Sequence, residues 1–173
     1  MAFLEIIPVT LSELNLLRNL SINTFIETFG AQNSEANIQH YLASQMSVTQ
    51  LKKELQSANS DFYFAYFNDT LVGYLKLNYP LVKLEKTEKE KTFEIQRIYL
   101  LKAFQRRGFG KELFEKAVTV GKSKGYKKLT LGVWEHNTPA LAFYKKLGLT
   151  IFDQHIFLLG SDPQTDLLLQ LEI

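Results

Sequence analysis

Apolar and polar positions along the chain alternate between two periods, and the changes of period mark its elements. Phe3 to Val9 reads as a strand. Thr10-Leu11-Ser12-Glu13 carries the hydroxyl and carboxylate of a capping box, which opens a helix to about Leu20. Helical spacing resumes over 21–29 and 34–43, and Ser47-Val48-Thr49-Gln50 is a second capping-box candidate for a helix ending near Gln56. From Asp61 the pattern becomes aromatic and strand-like. Asn68-Asp69 reads as a tight turn between strands over 61–67 and 70–79, and 92–100 reads as a third strand. Phe109, Leu113, Ala117 and Val120 recur at helical spacing over 109–124. A strand follows over 128–134. The segment 137–147 is a predicted helix, with Asn137 as N-cap, Pro139 in its first turn and Gly148 as C-cap. Two last strands are predicted near 150–158 and 166–171.

This order predicts an α/β (α+β) protein. Its sheet should be mixed and mostly antiparallel, with about seven strands flanked by helices, in one domain over 1–173. The charged stretch Lys83 to Lys91 reads as an exposed hairpin loop. No repeat or low-complexity tract interrupts the pattern. With 46% hydrophobic residues in 173, the chain can build a substantial core.

Composition then narrows the chemistry. There is no cysteine, which excludes disulfides and thiolate metal sites. The three histidines, His40, His136 and His155, are scattered, so no metal is expected. The N-terminus has no basic leader and no apolar run reaches spanning length, so the expectation is a cytoplasmic protein without membrane contact. The net charge is only +2, but residues 101–128 hold nine Lys/Arg against two Glu, and the remainder is acidic. That block suits a small polyanionic ligand. Nucleic acid is not expected, because aromatic residues do not alternate with the basic ones.

The basic block contains Gln105-Arg106-Arg107-Gly108-Phe109-Gly110, a glycine-bearing turn between a predicted strand and a predicted helix. Such a turn leaves backbone N–H groups unpaired and able to hold phosphate oxygens. It is not a Walker loop, since no Gly-Lys-Ser/Thr closes it. It is not a dinucleotide fingerprint, since Leu113 stands where the third glycine belongs.

This turn and a second motif, Asn137-Thr138-Pro139-Ala140 continuing through Phe143-Tyr144 to Gly148, resemble the GCN5-related N-acetyltransferase superfamily. Thr24 to Phe29, Gly132-Val133-Trp134-Glu135 and Gln164-Thr165-Asp166-Leu167 further resemble bacterial PaiA-type spermidine/spermine N-acetyltransferases. Leu149 replaces the usual Phe, and Gln96 stands where that subgroup has an acid. The resemblance implies a sheet with a splayed central strand pair, acetyl-CoA as cosubstrate, and direct transfer of acetyl to a primary amine, foremost a polyamine. A monomer or homodimer is expected. Alternatives are acetylation of a protein N-terminus, lysine or amino acid, or a non-catalytic acyl-CoA-binding module.

The resemblance also implies roles. Arg106 to Gly110, with Gln105, would hold the pyrophosphate. Ile98, Tyr99 and Leu100 would pair with the pantetheine arm as an added strand. Asn137 would bond a pantetheine amide, and Lys146 would reach phosphate. Tyr144 would donate a proton to the leaving thiolate, with the oxyanion held near Ile98 or Leu100. A primary ammonium with pKa about 10.4 is neutral in roughly one molecule in 2,500 at pH 7, a handicap of about 4.6 kcal/mol, so a base is needed. Glu94 is the candidate, read as sharing one strand face with Gln96 and Ile98; Glu135 is the second choice. Thr24, Glu27, Thr28, Tyr63, Trp134 and Glu135 are candidate acceptor-site residues, since carboxylates and aromatics suit a long cation.

Overall fold

The structure is a computed structural model that describes residues 3–80 and 91–173. Seven strands form one sheet in the order β1-β2-β3-β4-β5-β7-β6. The strands are β1 (Glu5–Pro8), β2 (Ser60–Phe67), β3 (Thr70–Asn78), β4 (Thr92–Leu100), β5 (Lys128–Trp134), β6 (Thr150–Leu159) and β7 (Asp162–Glu172). The helices are α1 (Leu14–Phe29), α2 (Glu35–Gln45), α3 (Val48–Leu55), α4 (Phe109–Ser123) and α5 (Thr138–Lys146). Neighbouring strands are antiparallel except β4 and β5, which run parallel. The predicted hairpin loop over 83–91 falls, apart from Lys91, outside the described residues.

Two helical layers cover the sheet. On one face α4 and α5 pack Leu113, Phe114, Ala117 and Tyr144 against Leu75, Leu77, Phe93, Ile95, Leu129 and Leu131. On the other, α1 sets Leu17 and Leu20 over Phe62, Phe64 and Tyr74. Phe25 and Phe29 of α1 join Ile38, Leu42 and Leu51 around Trp134. Each fully buried side chain of this kind contributes about 1.5–3 kcal/mol by leaving water.

Local signals hold at most element ends. Thr10 and Glu13 form the capping box: Glu13 accepts from the Thr10 backbone N–H at 2.8 Å. That box opens a short 3-10 turn over Leu11–Glu13, and a single continuous helix then runs through the break predicted at residue 20. Ser47 caps α3, accepting from the Gln50 N–H at 3.1 Å, but the Gln50 side chain turns to Glu54 rather than back to the cap. Asn68 and Asp69 both adopt positive φ, 46° and 59°, as a tight two-residue hairpin requires. β7 starts four residues earlier than predicted, because Gly160-Ser161 makes the turn and Asp162-Pro163 already pair with Leu159 and Leu158.

The β4–β5 junction positions the site. The two strands pair only at Thr92↔Lys128, Phe93↔Leu129 and Glu94↔Thr130. Beyond Glu94 they diverge, leaving the β5-facing edge of β4 without a strand partner. β4 also carries a bulge. Leu77 faces Ile95 and Lys76 faces Arg97, so Gln96 is the extra residue. The bulge reverses the alternation: Glu94, Arg97 and Tyr99 share the α1–α3 face, whereas Ile95, Ile98 and Leu100 share the α4–α5 face. The strand face read as Glu94, Gln96 and Ile98 therefore does not exist, because a strict period of two fails across an inserted residue.

Candidate active site

A cleft of about 750 Å³ opens where β4 and β5 part. Its walls come from both sheet faces: Ile98, Leu100 and Tyr144 from one, Tyr99, Gly132 and Trp134 from the other. The cleft therefore crosses the sheet. The glycine turn lies at one end, with Gln105, Arg106, Gly108 and Gly110 on the lining.

The turn presents backbone donors without acceptors among the described residues. Arg106 and Gly108 take positive φ, 61° and 88°, on either side of Arg107. No Cβ is needed at Gly108, and the left-handed conformation is cheap only for glycine. The backbone N–H groups of residues 106–110 donate to no acceptor among the described residues. Five free amides at a helix start form a concave array of donors, reinforced by the helix dipole. Lys102 and Lys111 add positive charge at the rim. Gln105 donates to the Leu100 carbonyl at 3.1 Å, which ties the turn to the end of β4.

Two residues expected in this cradle point elsewhere. Arg107 folds back, donating to the Ala103 carbonyl at 3.1 Å and lying 5.2 Å over the Phe104 ring, and it does not line the cleft. Phe109 is buried against Phe67, so only its amide faces the site. Asn137 caps α5, its Oδ1 accepting from the Ala140 N–H at 3.3 Å, and also lines the cleft, as does Lys146.

Tyr144 of α5 lines the cleft and is 7% exposed. Its ring packs against Phe143 and Phe114 at 5.1 and 6.4 Å between centroids. Its hydroxyl makes no hydrogen bond to another described residue. Burial raises its pKa well above the ordinary phenol value, so it stays protonated at neutral pH and can act as a donor.

The acceptor side is only partly as expected. Glu27, Thr28 and Trp134 line the cleft. Glu27 also accepts from the Lys102 N–H at 2.7 Å, fixing the turn after β4, and Thr28 bonds back to the Thr24 carbonyl. Glu135 is exposed beside His136, 3.6 Å away, and does not line it. Thr24 is buried and bonded to the Leu20 carbonyl. Tyr63 lies on the opposite face, under Lys116 of α4. Glu94 does not reach the cleft either. It lines a separate cavity of about 490 Å³ with Thr92, Thr130 and Gln170, and accepts from Asn78 at 3.1 Å. Glu94 is still paired with Thr130 at the closed end of the β4–β5 junction, before the strands part, and the bulge puts it on the face away from Ile98 and Leu100.

Comparison with known proteins bears on this geometry. The model of the acetyltransferase (GNAT) family matches residues 19–149. The chain belongs to that family. An uncharacterized N-acetyltransferase in the pepI 3' region of Lactobacillus delbrueckii subsp. lactis is 40% identical over 170 residues, covering 98% of both chains. Among solved structures, the PaiA N-acetyltransferase of Thermoplasma acidophilum in complex with coenzyme A is similar, with TM-score 0.81 and 22% identity over 98% of this chain and 99% of that one. The GCN5-related N-acetyltransferase of Rhodopseudomonas palustris has the same fold, with TM-score 0.77 and 12% identity over 100% and 98%.

The acetyltransferase uses acetyl-CoA, and its residues fit that cosubstrate. The free amides of 106–110 suit a diphosphate, and the unpaired edge of β4 offers donors and acceptors to an amide chain. Among the described residues no group of His, Asp and Glu could hold a metal ion, and no helix is long and apolar enough to cross a membrane.

Two features escaped the sequence reading. The first is a buried charge cluster behind β4. Glu54 of α3 pairs with Arg97 at 2.8 Å and with Lys76 at 2.9 Å. Burial pushes the Glu54 carboxyl up, but Arg97 and Lys76 outweigh it and the net shift is downward. Burial and the neighbouring Arg97 lower Lys76. The cluster locks α3 to the sheet beside the bulge. Its members are 22 and 43 positions from Glu54 in sequence, so no local pattern announces it. The second is Asp166 of β7, quoted above only within a motif and placed by the fold against Gly132.

Proposed function

We propose that this acetyltransferase acts on a primary amine of a small cationic molecule, a polyamine such as spermidine or spermine foremost. One observation carries the reading: the cleft crosses the sheet, with an anion-binding turn at one end and acidic and aromatic side chains on the α1–α3 face. A coenzyme entering from the turn and an amine entering from the opposite face meet beside Tyr144. The likeness to PaiA-type sequences supports the polyamine, and the excess acid outside 101–128 favours a cation.

The roles follow from position. Residues 106–110 and Arg106 bind the diphosphate. The edge of β4 at Ile98 to Leu100 would align the pantetheine arm, and a backbone N–H near Ile98 or Leu100 would hold the oxyanion. One ammonium proton first passes to solvent; the neutral amine nitrogen then bonds to the acetyl carbon, and the carbon–sulfur bond breaks. Tyr144 supplies the proton that sulfur takes, and is reprotonated from the former ammonium. Of the three ammonium protons, one remains on the amide, one ends on sulfur and one leaves to solvent.

Thiol release from acetyl-CoA, measured over a panel of polyamines, amino acids and peptides, tests the reading. Spermidine or spermine should give the highest kcat/KM. Turnover confined to peptides or amino acids would reject the polyamine, and tight coenzyme binding without thiol release would reject transfer.

A further inference from the structure

Asp166 is a half-buried carboxylate that, among the described residues, accepts no hydrogen bond and forms no ion pair. Carboxylates withdrawn from water ordinarily find a partner, because an uncompensated charge is costly there. On β7, Asp166 stands across from Trp134 of β5 on one side and His155 of β6 on the other. Its Oδ2 lies 3.3 Å from the point where a Cβ on Gly132 would stand. Gly132 is exposed and lines the cleft at the level where β4 has peeled away; Asp166 is not itself on the lining and stands behind Gly132. The missing side chain at 132 thus leaves room for the Asp166 carboxylate to lean over β5. It does so on the α1–α3 face, across the sheet from the helix that carries Tyr144.

The surroundings are aromatic. Trp134 flanks it, and Tyr41 of α2 is near enough for the Asp166 charge to oppose ionisation of its phenol. A carboxylate with no hydrogen-bond or ion-pair partner among the described residues, bordered by aromatic faces, is the chemistry that recognises an organic ammonium.

We infer that Asp166 is the docking carboxylate for the acceptor's ammonium group, holding it over Gly132 at the mouth of the split between β4 and β5. The inference rests on the amine-acetylating reading and adds the recognition residue to it. Burial raises the Asp166 carboxyl and His155 opposes that rise, as expected for an anion lacking a direct partner.

Two measurements on the full-length protein decide it: steady-state kinetics with spermidine, and calorimetric binding of spermidine to the CoA-loaded protein. Asp166→Asn should raise the spermidine KM at least tenfold and weaken spermidine binding in parallel, with acetyl-CoA affinity unchanged within twofold. Asp166→Glu should recover part of the loss. An unchanged KM and unchanged spermidine binding in Asp166→Asn would overturn the inference. If Asp166→Asn does not fold, Gly132→Ala decides instead, since its methyl group crowds the carboxylate from 3.3 Å and should produce the same KM effect. The two readings fail separately. Turnover of peptides alone removes the polyamine, whereas a CoA-loaded wild type that binds no spermidine removes the docking role of Asp166 even if thiol release persists.

Discussion

Replacing Tyr144 with Phe separates chemistry from structure unusually well. The substitution deletes one hydroxyl and leaves the ring that packs on Phe114 and Phe143. That hydroxyl bonds to no other described residue, so the roughly 0.5–1.5 kcal/mol typical of an intramolecular hydrogen bond is not lost. Stability should stay within about 0.5 kcal/mol, a Tm shift of about 2 °C or less for a chain of this length. The rate is another matter. A positioned general acid contributes about 10²–10⁴-fold, or roughly 2.7–5.5 kcal/mol of barrier. The raised phenol pKa means that the wild-type group is fully protonated at neutral pH, so the whole contribution is available to lose. Thiol-release kinetics should show kcat falling by about 100-fold or more, with acetyl-CoA affinity by calorimetry within about threefold. A kcat within about threefold of wild type would refute the proton-donor role. A lost fold or lost coenzyme binding would refute the claim that the hydroxyl has no structural task.

The charge cluster predicts a large stability effect. Glu54→Gln leaves Lys76 and Arg97 buried together without their anion and should cost about 3–5 kcal/mol, read as the urea midpoint. Glu54 titrates below its ordinary value near 4.5, so its contribution is complete above that value and disappears as pH falls through the lower folded one. Urea midpoints between pH 3 and 6 should therefore fall with acid in the wild type and much less in Glu54→Gln. At the turn, Gly108→Ala imposes a side chain on a φ of 88° and should weaken CoA binding roughly tenfold by calorimetry, about 1.4 kcal/mol. Arg106→Ala should weaken CoA binding by about 10- to 100-fold and reduce its salt dependence. Arg107→Ala should leave it within about twofold, because that guanidinium is engaged with Ala103 and Phe104. Equal effects of the two arginines would contradict the placement of the turn.

The elements themselves were largely legible, because periodicity, caps and turn residues act over a few positions. Asn137 caps α5, Gly148 takes φ 90° after it, and Asn68-Asp69 turns the first hairpin. The glycine turn and Tyr144 were also legible, since each sits within a compact motif. What was hidden depends on register and on distance along the chain. No glycine or proline marks the bulge at Gln96; the one local sign is the polar pair Gln96-Arg97, which breaks the alternation of Phe93, Glu94 and Ile95. That one inserted residue put Glu94 on the face away from Ile98, and its pairing with Thr130 keeps it at the closed end of the junction. Glu54, Lys76 and Arg97 come from three elements, and Asp166 acquires its meaning only because β7 lies beside a glycine of β5. Arg107 could not be told from Arg106 by composition, because only the backbone angles of the turn decide which guanidinium faces outward.

The sheet is stitched across its middle by three residue pairs at one end of β4 and β5 and by none farther along. Its two halves are therefore joined along a short spine, with helices packed on either face. In the binding mode proposed above, an amide chain lying in the fork would supply the rungs that the protein leaves out. Cosubstrate bound in that way would be a structural member as well as a reactant, and amide exchange along the open margin of β4 should slow when it is in place.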